Sequence, residues 1–477
     1  MVGWPALGEV VVYVVGVGVT TKRVLTNGAP REPLASLGAK AGVVRRAGYG
    51  ASGPGVGALG GRTRQLVLDA GLGCFAATGF HDTVMEDIAT KAGVSRATLY
   101  QYFASKEAIF LELIEVGGGD FLTLAKSARS FGPNAAGFEN LLAWVTAWSG
   151  EVDKYSALFV EWSNVNARKA ALRPRLAWFV ERHTTVWARQ LASADLGIVS
   201  PETMAVLMLA MADRYNYMRL VYKPEATNTE LATNFALAFE HVLFPSDQIA
   251  VPVSKPAVDS TTRSSTNSSR PTAGAEIDPF AGLTPQAVVT VRKLLDAAGR
   301  VFANNGFSGS NVDLIVSEAG LARGTFYKYF KERTQLLAVL AQECAASLVP
   351  ALAELEELAG VSEKTQRSVH LRLLLAEFLR IQHVYSAVLR AWLEQQPNDA
   401  AVLAPYAIVR LQLRNTVAAM LTNAPSAKRL DLEAAAMMFA ALLERFPEES
   451  TGTRYALTDA QIIEAQALFL ERAFFAS

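Results

Sequence analysis

Two segments of this 477-residue chain repeat one another, and this duplication constrains the fold more than any other feature. Residues 68–103 and 295–330 align without a gap, and 15 of the 36 aligned positions are identical. The two copies lie too far apart along the chain to stack as neighbouring repeats of a solenoid. We therefore predict a duplicated module rather than a repeat array.

Composition bounds the class of protein. Hydrophobic residues make up 51% of the chain and charged residues 19%, and the formal net charge is zero. Such a length predicts about three domains. A neutral chain still binds nucleic acid where basic residues cluster locally. The two cysteines exclude a disulfide framework and a Cys-rich metal site. We predict no metal, no cofactor, no membrane span and a cytoplasmic location.

Composition along the chain predicts an alternation of heads, bodies and a linker. The stretch Val10–Val15 is its only β signal, and the Ser/Thr/Pro-rich segment has too few apolar residues for a core. The predicted segments are a disordered or low-complexity basic leader (1–61), a first head that contains the first repeat (62–128), a first helical body (129–244), a linker (245–285), a second head that contains the second repeat (286–345) and a second body (346–477).

Local signals divide the first repeat into short helices. Gly79 is placed to end the first helix, because glycine takes a positive φ without steric cost. Thr83 followed by Glu86 matches a capping box for the second helix. Gly93 then predicts a tight turn, and Ser95 is a favourable N-cap for a third helix. The pattern indicates a helix-turn-helix, whose second helix fits the major groove of DNA.

The pattern resembles the TetR family of bacterial transcriptional regulators over about 45 residues of each half. In the first head the resemblance is carried by Phe75–Ala76, Gly79–Phe80, Met85–Ala89, Ala92–Ser95, Thr98–Phe103 and Ser105–Glu107. It implies an all-α fold with two helix-turn-helix heads, each followed by a helical ligand-binding and dimerisation body. It also implies a regulator rather than an enzyme.

Carried over residue by residue, the resemblance assigns DNA contacts to both heads. Arginine suits guanine edges, threonine suits a thymine methyl group, and tyrosine and lysine suit phosphate. The predicted contacts are Thr83, Arg96, Ala97, Thr98, Tyr100, Gln101, Tyr102 and Lys106, and in the second head Arg323, Gly324, Thr325, Tyr327, Lys328, Tyr329 and Arg333.

The chain departs from the family pattern in three ways. It carries two heads, so one chain can form its own pseudo-dimer, or two chains can bring four heads. Ala322 replaces the Ser95 cap, a change worth about 1 kcal/mol. Gly117–Gly119 interrupt the predicted connecting helix, since each glycine costs about 1 kcal/mol relative to alanine. We expect these glycines to hinge the first head on its body.

The bodies carry the predicted effector and dimerisation sites. Aromatic residues at helical spacing are core residues first, and polar residues among them are candidates to orient a ligand. The candidate dimerising helices are 201–222 with 228–243 and 431–446 with 459–474. The candidate pocket residues for a small hydrophobic or aromatic effector are Trp144, Trp148, Phe159, Trp162, Asn166, His183, Asp213 and Tyr215.

Together these features predict a sequence-specific, DNA-binding transcriptional regulator and a ligand-released repressor. Its partners would be a double-stranded operator, an effector, and a second copy or its own second half. The alternative is a helical dimerisation or interaction protein whose second head no longer binds DNA. That alternative predicts that Arg323→Ala and Tyr327→Ala leave operator affinity unchanged.

Overall fold

A computed structural model describes the helical parts of the chain and a short N-terminal hairpin. The described residues are 11–16, 19–24, 58–159, 173–245, 280, 282–394, 397–423, 430–449 and 456–475.

The hairpin lies within the predicted leader. Strands β1 (Val11–Gly16) and β2 (Val19–Val24) pair antiparallel, with Val11 opposite Val24 and Gly16 opposite Val19. The sequence predicted only the first of these strands. The rest of 1–57 lies outside the described residues.

The regular secondary structure described in the first unit consists of helices. Its first helix begins at Ala58, earlier than the predicted head boundary at 62. The helices are α1 (Ala58–Asp82), α2 (Met85–Ala92), α3 (Arg96–Tyr102), α4 (Lys106–Ser127), α5 (Ala135–Lys154), α6 (Arg173–Gln190), α7 (Pro201–Tyr222) and α8 (Asn228–Leu243).

The second unit repeats this order after a segment that is described only in part. Its helices are α9 (Pro285–Asn305), α10 (Val312–Ala319), α11 (Arg323–Tyr329), α12 (Arg333–Leu358), α13 (Lys364–Glu394), α14 (Ala400–Asn423), α15 (Leu432–Glu449) and α16 (Asp459–Ala473). The all-α, two-unit fold class is confirmed.

The last two helices of each unit pack against one another within the chain. Helix α7 lies along α15, and α8 contacts both α15 and α16. The rings of Phe239 and Phe469 meet edge to face, with centroids 5.2 Å apart. Both α7 and α15 bury most of their length, as an interface between helices requires. The two predicted dimerising pairs of helices therefore form one internal four-helix interface.

Helix α12 is long and apolar enough to cross a membrane by length and composition alone. Its apolar side chains, among them Leu336, Leu340 and Leu355, are buried in the second unit. It packs on α13 and α14 and connects the second head to its body. The apolar composition of α12 is thus accounted for by its central place in the helical core.

The predicted interruption of the first connecting helix is wrong. Helix α4 runs unbroken through Gly117–Gly119. The reason lies in packing: a Cβ at Gly117 would stand 3.4 Å from the ring of Tyr155, the C-cap residue of α5. Asp120, one turn further, accepts hydrogen bonds from Tyr155 at 2.7 Å and from Lys154 at 2.6 Å. Glycine lets the two helices approach, and these contacts hold them together.

Candidate nucleic-acid interface

Two glycines in each head set the turns of the helix-turn-helix. Gly79 and its counterpart Gly306 break the first helix with φ of 80° and 68°. Gly93 and its counterpart Gly320 take the left-handed conformation after the second helix, with φ of 67° and 65°. Residues with a Cβ rarely adopt these values, so all four positions favour glycine.

The predicted capping box at Thr83 is wrong. Helix α2 has Val84 at its N-cap and no side-chain cap. The Thr83 hydroxyl instead donates to the Gly79 carbonyl at 2.7 Å, and the side chain is completely buried. Ser310 does the same in the second head, donating to the Gly306 carbonyl at 2.6 Å. Thr83 therefore closes a turn and is not positioned to contact DNA through its hydroxyl.

The predicted recognition helices are short and are anchored by one buried side chain each. Leu99 of α3 and Phe326 of α11 are completely buried. Ser95 caps α3 by accepting from the Thr98 amide at 3.0 Å, whereas Ala322 gives α11 no side-chain cap. The anchors leave the opposite face of each helix to solvent.

The outward face carries the same kinds of residue in both heads. Its exposed members are Arg96, Ala97, Tyr100 and Gln101 in α3, and Arg323, Gly324, Tyr327 and Lys328 in α11; Thr98, Tyr102, Thr325 and Tyr329 are half-buried. The structure thus brings these predicted contacts together on one surface of each head.

The exposed arginine at the start of each predicted recognition helix pairs with an acid of the preceding helix. Arg96 pairs with Glu86 at 2.7 Å and lies 5.6 Å from the Tyr100 ring centroid. Arg323 pairs with Asp313 at 3.0 Å and lies 5.7 Å from the Tyr327 ring centroid. The sequence analysis missed these acids as positioning residues. The signal was an acid at the same position of the second helix in both copies.

Lys106 does not serve as the predicted phosphate contact in this conformation. Its ammonium donates to the carbonyls of Phe80, His81 and Thr83, at 2.7, 2.6 and 2.9 Å. These three bonds use all the donors of a lysine. Lys106 instead fastens the start of α4 to the turn between α1 and α2.

Arg333 occupies the matching place in the second head by a different contact. Its guanidinium lies 4.4 Å from the Phe307 ring centroid, as Lys106 lies 5.0 Å from that of Phe80. Burial lowers the pKa of Arg333. The shared feature is a cation over the phenylalanine that follows the turn glycine.

The predicted effector residues of the first body gather mostly in one aromatic cluster. The Trp144 and Trp148 rings lie 5.5 Å apart, and His183 meets Trp148 at right angles at 6.1 Å. Phe159 lies 5.6 Å from Phe121, which in turn contacts Trp148. The rings pack directly against one another. Trp162 and Asn166 lie outside the described residues.

Within the part of the chain that the structure describes, three indole N–H groups of this cluster are buried without a hydrogen-bond partner. They belong to Trp144, Trp148 and Trp187, each at most 5% exposed. A buried donor without an acceptor costs about 1–3 kcal/mol, and native structures contain few of them. A cavity of about 200 Å³ lies beside Trp144, between the end of α4 and α5.

Two of the predicted pocket residues have other partners. Asp213 faces the second unit and pairs with Arg445 at 3.3 Å, which contradicts a place in the pocket. The Tyr215 ring does line the aromatic cluster, but its hydroxyl donates to the Leu231 carbonyl at 3.0 Å. Burial raises the pKa of Tyr215, so its hydroxyl stays protonated.

The comparisons with known proteins agree with this geometry. The family model described as bacterial regulatory proteins of the tetR family matches residues 67–113 and 294–340. These are the two helix-turn-helix heads. The chain thus carries two N-terminal segments of the TetR family of transcriptional regulators, which is not a family of enzymes.

Individual relatives match different shares of the chain. The regulator YdgC of Bacillus subtilis is 46% identical over 52 residues, which are 11% of this chain and 27% of YdgC. YfiR of the same organism is 26% identical over 185 residues, 37% of this chain and 90% of YfiR. RutR of Escherichia coli is 39% identical over 74 residues, 15% of this chain and 35% of RutR.

Solved structures of regulators cover between 36% and 40% of this chain. A TetR-family regulator from Syntrophomonas wolfei covers 40% of this chain and 99% of its own length, with 20% identity and a TM-score of 0.32.

Proposed function

We propose that one chain binds one DNA duplex as an intramolecular pseudo-dimer and regulates transcription from it. The internal interface supports this proposal most directly: α7 and α8 of the first unit pack on α15 and α16 of the second. The helices that the family resemblance assigns to dimerisation are therefore already partnered within the chain. Because the two joined units each carry a head, one chain has two heads that can each bind one half-site. We place this activity in the bacterial cytoplasm.

Both heads have the chemistry to bind DNA in this proposal. Arg96 and Arg323 carry exposed guanidinium groups at the start of their helices, where a recognition helix contacts base edges. Each is held in place by its acid and its tyrosine. The second head keeps this arrangement, which favours DNA binding by both heads over the alternative in which the second head has lost it.

An effector in the first body would act through helix α7, because one face of this helix lines the aromatic cluster and another contacts the second unit. Ala212, Tyr215 and Asn216 line the aromatic cluster, whereas Asp213 and Arg214 pair with the second unit. A ligand that separates the packed rings would therefore shift α7 and the interface together. Repositioned heads would release DNA, which is the predicted mode of a ligand-released repressor.

The orphaned indole groups favour one class of effector. A flat apolar molecule that carries an oxygen acceptor, such as an aromatic carboxylate, would satisfy donors for which the described residues supply no acceptor. Thermal-shift measurements with 1-naphthoate and the neutral naphthalene-1-methanol probe this preference. We expect Trp148→Phe, which keeps an aromatic ring and removes the N–H, to weaken the carboxylate effect. An equal shift in wild type and Trp148→Phe argues against it.

The DNA-binding proposal is tested by selecting duplexes from a random pool and titrating salt on the winner. We expect two half-sites about one helical turn apart and a steep fall of affinity with salt. Arg96→Ala and Arg323→Ala should each weaken binding. Loss with Arg96→Ala alone favours the interaction-protein alternative for the second head, and no enrichment refutes the proposal.

A further inference from the structure

The outward faces of the two recognition helices consist of one identical stripe and one divergent stripe. Residues four apart lie on the same side of a helix. Arg96 and Tyr100 form one such pair, and α11 repeats it with Arg323 and Tyr327. The arginines even keep equivalent acid partners, at 2.7 and 3.0 Å. This stripe presents the same groups to DNA in both heads.

The neighbouring stripe differs at both of its positions. Ala97 and Gln101 form it in α3, and Gly324 and Lys328 form it in α11. All four residues are exposed. A glutamine amide both donates and accepts, which matches the N6 and N7 atoms of adenine. A lysine only donates, which matches guanine O6 and N7 or a phosphate.

Because of the internal interface, every molecule combines the two different recognition helices. Arg214 pairs with Glu444, and Arg445 pairs with Asp213, so the two units contact each other reciprocally. In a dimer of identical chains such an isologous contact gives two identical heads and a palindromic site. In this chain the contact always pairs the unit that carries α3 with the unit that carries α11.

We infer that the operator is an imperfect palindrome which one chain binds in a single orientation. Its half-sites agree where the arginine–tyrosine stripe reads them and differ where Gln101 meets one half and Lys328 the other. Gln101 and Lys328 are the residues that determine this difference. This inference rests on the proposed DNA-binding function.

The test compares three duplexes and three proteins. Selection with the wild-type chain defines two half-sites, and each half-site is then doubled into a perfect palindrome. Fluorescence anisotropy measures the Kd of wild type, Lys328→Gln and Gln101→Lys for the selected duplex and for both palindromes. Both substitutions lie at exposed positions, and an unchanged thermal midpoint verifies the fold of each variant.

We expect wild type to prefer the selected duplex by roughly tenfold over either palindrome, the discrimination of one good base contact. Lys328→Gln should shift the preference to one palindrome and Gln101→Lys to the other. A perfectly palindromic selected site, or variants that keep the wild-type ranking, would overturn the inference while the proposed function stands. A pool with no enriched duplex would overturn both.

Discussion

Arg214 of α7 donates a hydrogen bond from Nη2 to Oε2 of Glu444 in α15 across 3.2 Å; the Arg214 side chain is buried, and that of Glu444 is 13% exposed. Burial raises the pKa of the Glu444 carboxyl, and the Arg214 guanidinium opposes that rise. The reciprocal pair joins Arg445 to Asp213 at 3.3 Å, so each unit supplies one acid and one arginine. This exchange is what a two-fold interface does between subunits; here it lies within one chain.

Removing one partner of the Arg214–Glu444 pair should destabilise the chain strongly. Arg214→Ala removes the hydrogen-bonded partner of a mostly buried carboxyl, and we expect a loss of about 3 kcal/mol in the free energy of unfolding. Urea titration measures it. Arg214→Met combined with Glu444→Leu should recover much of the loss, because neither charge of this pair remains. A single variant as stable as wild type would show that the pair does not support the interface.

Lys106 should matter for the stability of the first head rather than for phosphate binding. Lys106→Met removes three hydrogen bonds to turn carbonyls, and we expect a loss of about 2 kcal/mol in the free energy of unfolding. The salt slope of DNA binding should stay unchanged. A slope reduced by about 1 would restore the phosphate role that the sequence predicted. The matched control in the second head is Arg333→Met, which removes the guanidinium that stacks on the Phe307 ring.

The two recognition helices offer a reciprocal test of capping. Ser95 accepts from the Thr98 amide, and Ala322 makes no such bond. We expect Ser95→Ala to destabilise the first head by about 1 kcal/mol and Ala322→Ser to stabilise the second by a similar amount. Hydrogen exchange of the amides in α3 and α11 reports the two effects separately. Equal protection in wild type and both variants contradicts the capping account.

Alanine substitutions at Gly117 and Gly119 of α4 should change the free energy of unfolding differently. Gly119 faces open space, so Gly119→Ala should raise the free energy of unfolding by roughly 0.5–1 kcal/mol through helix propensity alone. Gly117→Ala would press against the Tyr155 ring and should gain less or lose stability. Denaturant titration of both variants separates the two cases. An equal gain at both positions would argue against close packing at Gly117.

Features fixed by neighbouring residues could be predicted from the sequence. Gly79, Gly93 and Ser95 take the predicted turn and cap roles, because these depend on backbone conformation within a few residues. The outward face of α3 followed for the same reason, since one buried leucine orients a short helix.

Features that depend on distant partners could not be predicted in the same way. Lys106 bonds to carbonyls of a turn that the packing of α1 and α4 brings near. Asp213 resembled a pocket residue because its partner, Arg445, comes from the other unit. The one signal for that contact was a second acid–arginine pair, Glu444–Arg445, in the corresponding helix of the second unit.

The most direct test of the central claim is the mass of the chain bound to its selected duplex, measured by light scattering after size exclusion. We expect one chain per duplex, and a monomer in the absence of DNA, because the internal interface already pairs the two units. Two chains on one duplex, or a stable dimer without DNA, would contradict the intramolecular pseudo-dimer.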